Sequence, residues 1–211
     1  MTDRLVWIDC EMTGLDLVSD ALIEVAALVT DGDLNVLGEG VDVTIRPPGE
    51  ALDSMGDYVR AMHTRSGLLD KLSTGVNLAD AEQQVLDYVS EHVPEARKAP
   101  LAGNTVGTDR MFLARDMPDL EGHLHYRNVD VSTIKELSRR WFTKAAFAAP
   151  VKGGNHRALA DIMESIEELR YYREAVFIPS PGPTRQEART IAEKYEGSLT
   201  GSAPTDAPAP G

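Results

Sequence analysis

An α/β fold with strands joined through helices follows from three features of this 211-residue chain. Leu5-Val6-Trp7-Ile8 is an apolar run with no polar residue before Asp9, the pattern of a strand buried on both faces of a helix-covered sheet. LIEVAALVTD and DVTIRP add two more segments with apolar or alternating character. Between and after these strands the apolar residues recur with helical spacing, which places helices on the sheet faces. The length suits one domain with a sizeable core rather than two.

In order, strands are expected near 4–9, 22–30 and 35–45, with Asp31-Gly32-Asp33 supplying the hairpin between the second and third. Helices follow near 55–63 and 77–92, the latter with Leu78, Ala81, Val85, Leu86 and Val89 on one face. Pro100-Leu101-Ala102-Gly103 reads as a short strand near 99–103, and a glycine turn leads to a helix from about 108. A fifth strand near 126–131, a helix over 132–141 and a last core helix over 157–173 complete a domain covering 1–176. Residues 177–196 hold a proline-rich linker, IPSPGPT, and a short helix opened by the Thr184/Glu187 capping-box pair. The tail at 197–211 is mostly Gly, Ser, Ala, Thr and Pro and is expected to be disordered.

Charge narrows the partners. The 34 acidic and 21 basic side chains leave a formal net charge of −13, whereas grip on long nucleic acid draws on a broad basic face. An acidic body with a few local Arg and Lys residues suits a small anion held in a pocket. The single cysteine, Cys10, excludes an internal disulfide, and its place in the first strand predicts a buried thiol, as fits a reducing cytoplasm. With no leader pattern and no apolar run of about 18 residues, neither export nor membrane insertion is expected.

Three segments carry chemistry-bearing groups. Side chains alternate along a strand, so Asp9 and Glu11 point to one face. Two like charges there call for a proton or a cation between them, unless the strand simply exits into water. Asp109 falls in the first turn of a predicted helix, where an acid also serves an ordinary dipole-stabilising role. His156 follows Gly153-Gly154-Asn155 and precedes a helix carrying Asp161. Helical residues five apart sit about 140° apart, so the two converge most easily with His156 on the loop and Asp161 on the helix. A histidine there suits a general base because its unperturbed pKa is near neutrality, although a surface histidine in a capping loop fits the same residues. Carboxylates in this arrangement suit hard divalent cations.

The order Asp-x-Glu, a mid-chain Asp, then His-x-x-x-x-Asp resembles the DEDDh exonucleases, which have a ribonuclease H-like, DnaQ-type core with a mixed five-stranded sheet. Within that group WIDCEMTGL, LVTDGDLNVL, MHTRSGL, GNTVGTDRMFL, HYRNVDVSTIKELSRRW and ELRYYRE resemble oligoribonuclease, over roughly Leu5 to Glu174. The resemblance implies a 3′→5′ exoribonuclease that hydrolyses short RNAs, dinucleotides above all, with Mg²⁺ or Mn²⁺ and as a homodimer. On matching positions Asp9, Glu11, Asp109 and Asp161 would hold two metal ions and His156 would act as the base. Leu15 would wedge between the two bases, and Tyr58 would stack on a base. His63, Thr105, Arg127 and Ser132 would cap the 5′-phosphate, Arg127 as a guanidinium fork. Tyr126 would be contributed by the partner subunit. Thr105 stands where relatives often have Ser, and Tyr58 where they can have Trp.

Some of these positions admit plainer roles. His63 could be a half-buried structural histidine, Leu15 a packing leucine, and Tyr126 a core residue of an alternating strand. Asp130 sits at a strand end before a helix, where it or Ser132 would serve as a cap, and it is left out of the catalytic set. Two other functions compete with the oligoribonuclease reading: a proofreading-type exonuclease on longer single strands, and a catalytically inactive nucleotide-binding scaffold.

Overall fold

A computed structural model describes residues 3–151, 153 and 157–197 of the chain. Five strands, β1 (Arg4–Met12), β2 (Leu22–Asp31), β3 (Val36–Thr44), β4 (Pro100–Gly103) and β5 (His125–Asp130), form one sheet in the order β3-β2-β1-β4-β5. The first three pair antiparallel and the last two join in parallel, so the sheet is mixed, as the pattern of hairpin and helical crossovers requires. All five predicted strands are present. β1 runs three residues further than expected, which puts Asp9 and Glu11 inside the strand rather than at its exit.

Alternation along β1 and β2 sorts the core into two layers. Val6, Ile8, Cys10, Val25, Ala27 and Val29 face one side, packed with residues of α3 (Leu78–His92), α4 (Gly107–Asp116) and α5 (Pro118–His123). Trp7, Ala26, Leu28 and Ala102 face the other, packed with residues of α6 (Val131–Trp141) and α8 (Ala158–Ala175). By the same parity Asp9, Glu11 and Glu24 belong to the α8 side. Strand register therefore decides which helix the acids meet.

Several short elements lie outside the expected set. The helix expected over 55–63 is α2 (Asp57–Arg65), shifted by two residues; α1 (Gly49–Asp53) before it and a 3-10 segment at Leu69–Thr74 after it were not foreseen. α5 and α7 (Thr143–Phe147) were likewise not foreseen. The hairpin after β2 turns where expected: the Asp31 carboxylate accepts the backbone N–H groups of Asp33 and Asn35 at 3.0 and 2.8 Å.

The chain divides into two compact units, 1–176 and 177–211. In the second, α9 (Arg185–Glu193) opens on a capping box, with Thr184 and Glu187 bonding each other's backbone as the sequence motif anticipates. Expectations for the tail at 198–211 and for His156 fall on positions outside the described residues.

Candidate active site

The site is built at the centre of the sheet, where β1 lies between β2 and β4. Asp9 and Glu11 project from β1 toward α8, whose first turn carries Asp161. One ligand atom from each of Asp9, Glu11 and Asp161 lies within 4.8 Å of the others. Asp109, in the first turn of α4, is buried, and its Oδ1 accepts the Cys10 backbone N–H at 3.0 Å, between the two β1 acids in sequence. The second strand residue of the motif thus ties the mid-chain acid to the first pair.

Gathering carboxylates in a poorly hydrated place raises their proton affinity. Burial pushes the Glu11 carboxyl from 4.5 up to about 8, aided by the charges of Asp161, Glu24 and Asp109 and opposed by Arg157. Burial likewise lifts Asp109 from 3.8 to about 6, against the hydrogen bond from Cys10. The Cys10 thiol is buried, and its pKa rises for the same reasons, burial first and then the neighbouring Asp109, Asp9 and Glu11, so it stays protonated. A cluster of hard oxygen donors that repel one another fits a divalent cation, because bound positive charge removes both the repulsion and the need for protons.

His63 of α2 is wholly buried, more so than the half-buried role considered from sequence. Its Nε2 lies 2.9 Å from the Met12 carbonyl oxygen, and its Nδ1 is 3.9 Å from Glu11 Oε2. The ring therefore packs beside Glu11, one member of the acid cluster. Thr105 and Ser132 come together at the ends of β4 and β5, their hydroxyls 3.1 Å apart. Thr105 adopts φ of 55°, a left-handed conformation that is strained for a β-branched residue. That turn directs its N–H to Asp130 Oδ1 and Ser132 Oγ, each at 3.0 Å. Asp130 also accepts the Ser132 N–H at 2.9 Å and caps α6, the role expected for it.

Tyr126 and Arg127 are neighbours on β5, with the guanidinium Nε 3.1 Å from the Tyr126 hydroxyl. Tyr126 is 74% exposed, so it is not a core residue. Leu15 and Tyr58 are also exposed, which removes the packing role considered for Leu15.

Sequence reasoning passed over two residues. Glu24, wholly buried in β2, is the register partner of Glu11. Arg157 donates to it from Nε at 2.9 Å and pairs through a terminal nitrogen at 2.7 Å. The available signal was a single acid inside the apolar run LIEVAALVTD, since a charge buried on a central strand needs a partner.

Comparison with known proteins identifies the family and the fold. The model of the exonuclease family RNase_T matches residues 6–169. The oligoribonuclease of Streptomyces avermitilis is 70% identical over 195 residues, covering 92% of this chain and 98% of that one. That of Cutibacterium acnes is 66% identical over 198 residues, covering 94% and 98%. That of Mycobacterium tuberculosis is 59% identical over 200 residues, covering 94% and 93%. Among solved structures, exonuclease I from Methylocaldum szegediense superposes with a TM-score of 0.60 at 20% identity, over 82% of this chain and 41% of that one. A product-bound exonuclease I gives 0.61 at 13% identity, over 93% and 46%. The chain spans less than half the length of these two solved proteins, which share its fold. It is a nuclease of the RNase_T exonuclease family and belongs with the oligoribonucleases.

Proposed function

We propose that this protein is a 3′→5′ exoribonuclease that hydrolyses short RNAs, dinucleotides chiefly, to 5′-mononucleotides. The observation that carries the reading is the convergence of Asp9, Glu11 and Asp161 within 4.8 Å, in a chain whose relatives are oligoribonucleases. Asp9, Glu11, Asp109 and Asp161 hold two divalent cations, Mg²⁺ or Mn²⁺. When bound, such ions supply positive charge where the phosphodiester gains negative charge in the transition state. His156 takes the proton of the attacking water as general base. The raised proton affinity of Glu11 and Asp109 supports this ligand role, since each releases a proton when a cation takes its place.

Substrate selection falls to the surface beside the cluster. The paired hydroxyls of Thr105 and Ser132 and the guanidinium of Arg127 cap the 5′-phosphate, and such a cap leaves no path for a longer strand. Leu15 wedges between the bases and Tyr58 stacks on one of them. Both side chains are exposed, as a contact to ligand requires. His63, packed on Glu11, supports the cluster in addition to the phosphate role implied by resemblance. Tyr126 reaches the site of a second copy in a homodimer, consistent with its exposure. A buried free thiol and the lack, among the described residues, of any helix able to cross a membrane are compatible with work in the cytoplasm.

Turnover of RNAs of two, five and 20 nucleotides, with and without EDTA, tests the reading. The expected result is metal-dependent cleavage that is fastest on the dinucleotide. Equal efficiency on the 20-mer would instead mark a proofreading-type enzyme, and no turnover at all an inactive scaffold.

A further inference from the structure

The N-terminus of α8 is fastened to the sheet by a residue outside it. Arg157 is the N-cap, and its own side chain makes no capping hydrogen bond. The first N–H groups of a helix need acceptors from elsewhere. Glu24 Oε2 accepts the Ala158 N–H at 3.0 Å. The same carboxylate receives Arg157 Nε at 2.9 and 3.2 Å, and a terminal guanidinium nitrogen lies 2.7 Å from Oε1. A wholly buried acid on β2 thus meets three donors, all from two consecutive residues at the start of α8.

Its position along β2 gives this clamp a consequence for the site. Glu24 and Glu11 are direct register partners across β1 and β2. From Glu24 the connection runs to Arg157 and Ala158, then within the first turn to Asp161, whose N–H bonds the Arg157 carbonyl at 3.0 Å. Two rigid links, a strand pair and a helical turn, therefore separate Glu11 from Asp161, with the Glu24 carboxylate joining them. Arg157 also immediately follows His156 in the chain. Asp42 shares the guanidinium at a longer 3.4 Å.

We propose that Glu24 is a positioning residue for the hydrolysis: through Arg157 and Ala158 it fixes the start of α8, and so the spacing between Glu11 and Asp161. This inference rests on the site assignment under Proposed function. Displacing a catalytic group by about an ångström is enough to cost roughly a hundredfold in rate.

The test compares full-length wild type, Glu24→Gln, Arg157→Gln and Asp42→Asn. Hydrogen exchange on EDTA-treated protein should show the Ala158–Ile162 amides opening about tenfold faster in Glu24→Gln and Arg157→Gln, with the amides of α3 unchanged. On a dinucleotide, kcat should fall roughly tenfold to a hundredfold with KM within about twofold, while Asp42→Asn stays near wild type. If Glu24→Gln fails to fold, Arg157→Gln decides the matter, because its side chain is part-exposed and tolerates the change. Exchange and kcat within about twofold of wild type in the folded variants would overturn the proposal. So would a loss of protection spread equally over α3 and α8, or a change in KM alone. A wild type inactive on dinucleotides would defeat the functional reading instead, and the exchange comparison would still decide whether Glu24 holds α8.

Discussion

At the scale of single residues, the site is defined by acids placed where acids are unstable. Glu11 and Asp109 hold protons in the folded protein to about 8 and about 6, whereas ordinary carboxyls release theirs near 4.5 and 3.8. Over that interval the folded state binds more protons than the unfolded chain, so stability falls as pH rises. Calorimetry of EDTA-treated protein should therefore show the melting temperature declining from pH 5 to pH 8 through these two groups. Added Mn²⁺ should flatten or reverse the decline, because the cation replaces the protons. A melting temperature that climbs with pH in EDTA would contradict the cause assigned to both shifts.

Among the elements, caps adjacent in the chain could be read in advance, whereas the distant acceptors that hold other helix starts could not, even where the helix itself, as with α8, was foreseen from its spacing. α3, α6 and α9 begin on Asn77, Asp130 and Thr184, whose side chains cap their own helices. The caps of α6 and α9 are legible because cap and helix are adjacent in the chain, and α3 is legible from its apolar face. α5 begins where Glu82 of α3 accepts the N–H groups of Asp119 and Leu120, and α8 where Glu24 of β2 accepts that of Ala158. No local pattern announces an acceptor 37 or 134 residues away. α1, α5 and α7, of five or six residues, are also too short for a helical period to declare itself. At the site, the β1 acids and the helix-borne Asp109 and Asp161 were readable from alternation, turn chemistry and their order in the chain. The buried environment of His63 and the strained turn at Thr105 were not, since both depend on contacts made only after folding. The Asp130 cap offers a test at this scale. Asp130→Ala should cost about 1 kcal/mol in urea denaturation, as caps generally do. It should also raise KM for a dinucleotide, since the Thr105 N–H loses an acceptor. An unchanged KM would separate Thr105 from substrate binding.

For the whole molecule, the buried apolar residues among those described run from Val6 to Tyr172, within the first compact unit. That distribution predicts that a chain ending at Val176 unfolds cooperatively, with a melting temperature within a few degrees of the full-length protein, and still cleaves dinucleotides. A collapse of stability in the shortened chain, followed by circular dichroism, would place part of the folding energy in 177–211. The net charge of −13 belongs to this scale as well: it suits a body that admits small anions at one cation-bearing point rather than one that tracks a strand. Everything then turns on whether cations occupy that point. Crystals soaked in manganese, measured at the manganese absorption edge, test this most directly. The expected result is anomalous density within about 2.5 Å of carboxylate oxygens of Asp9, Glu11 and Asp161, weakened or lost in Glu11→Gln. Featureless anomalous maps at those side chains in the wild type, with Glu11→Gln still hydrolysing dinucleotides at full rate, would contradict it.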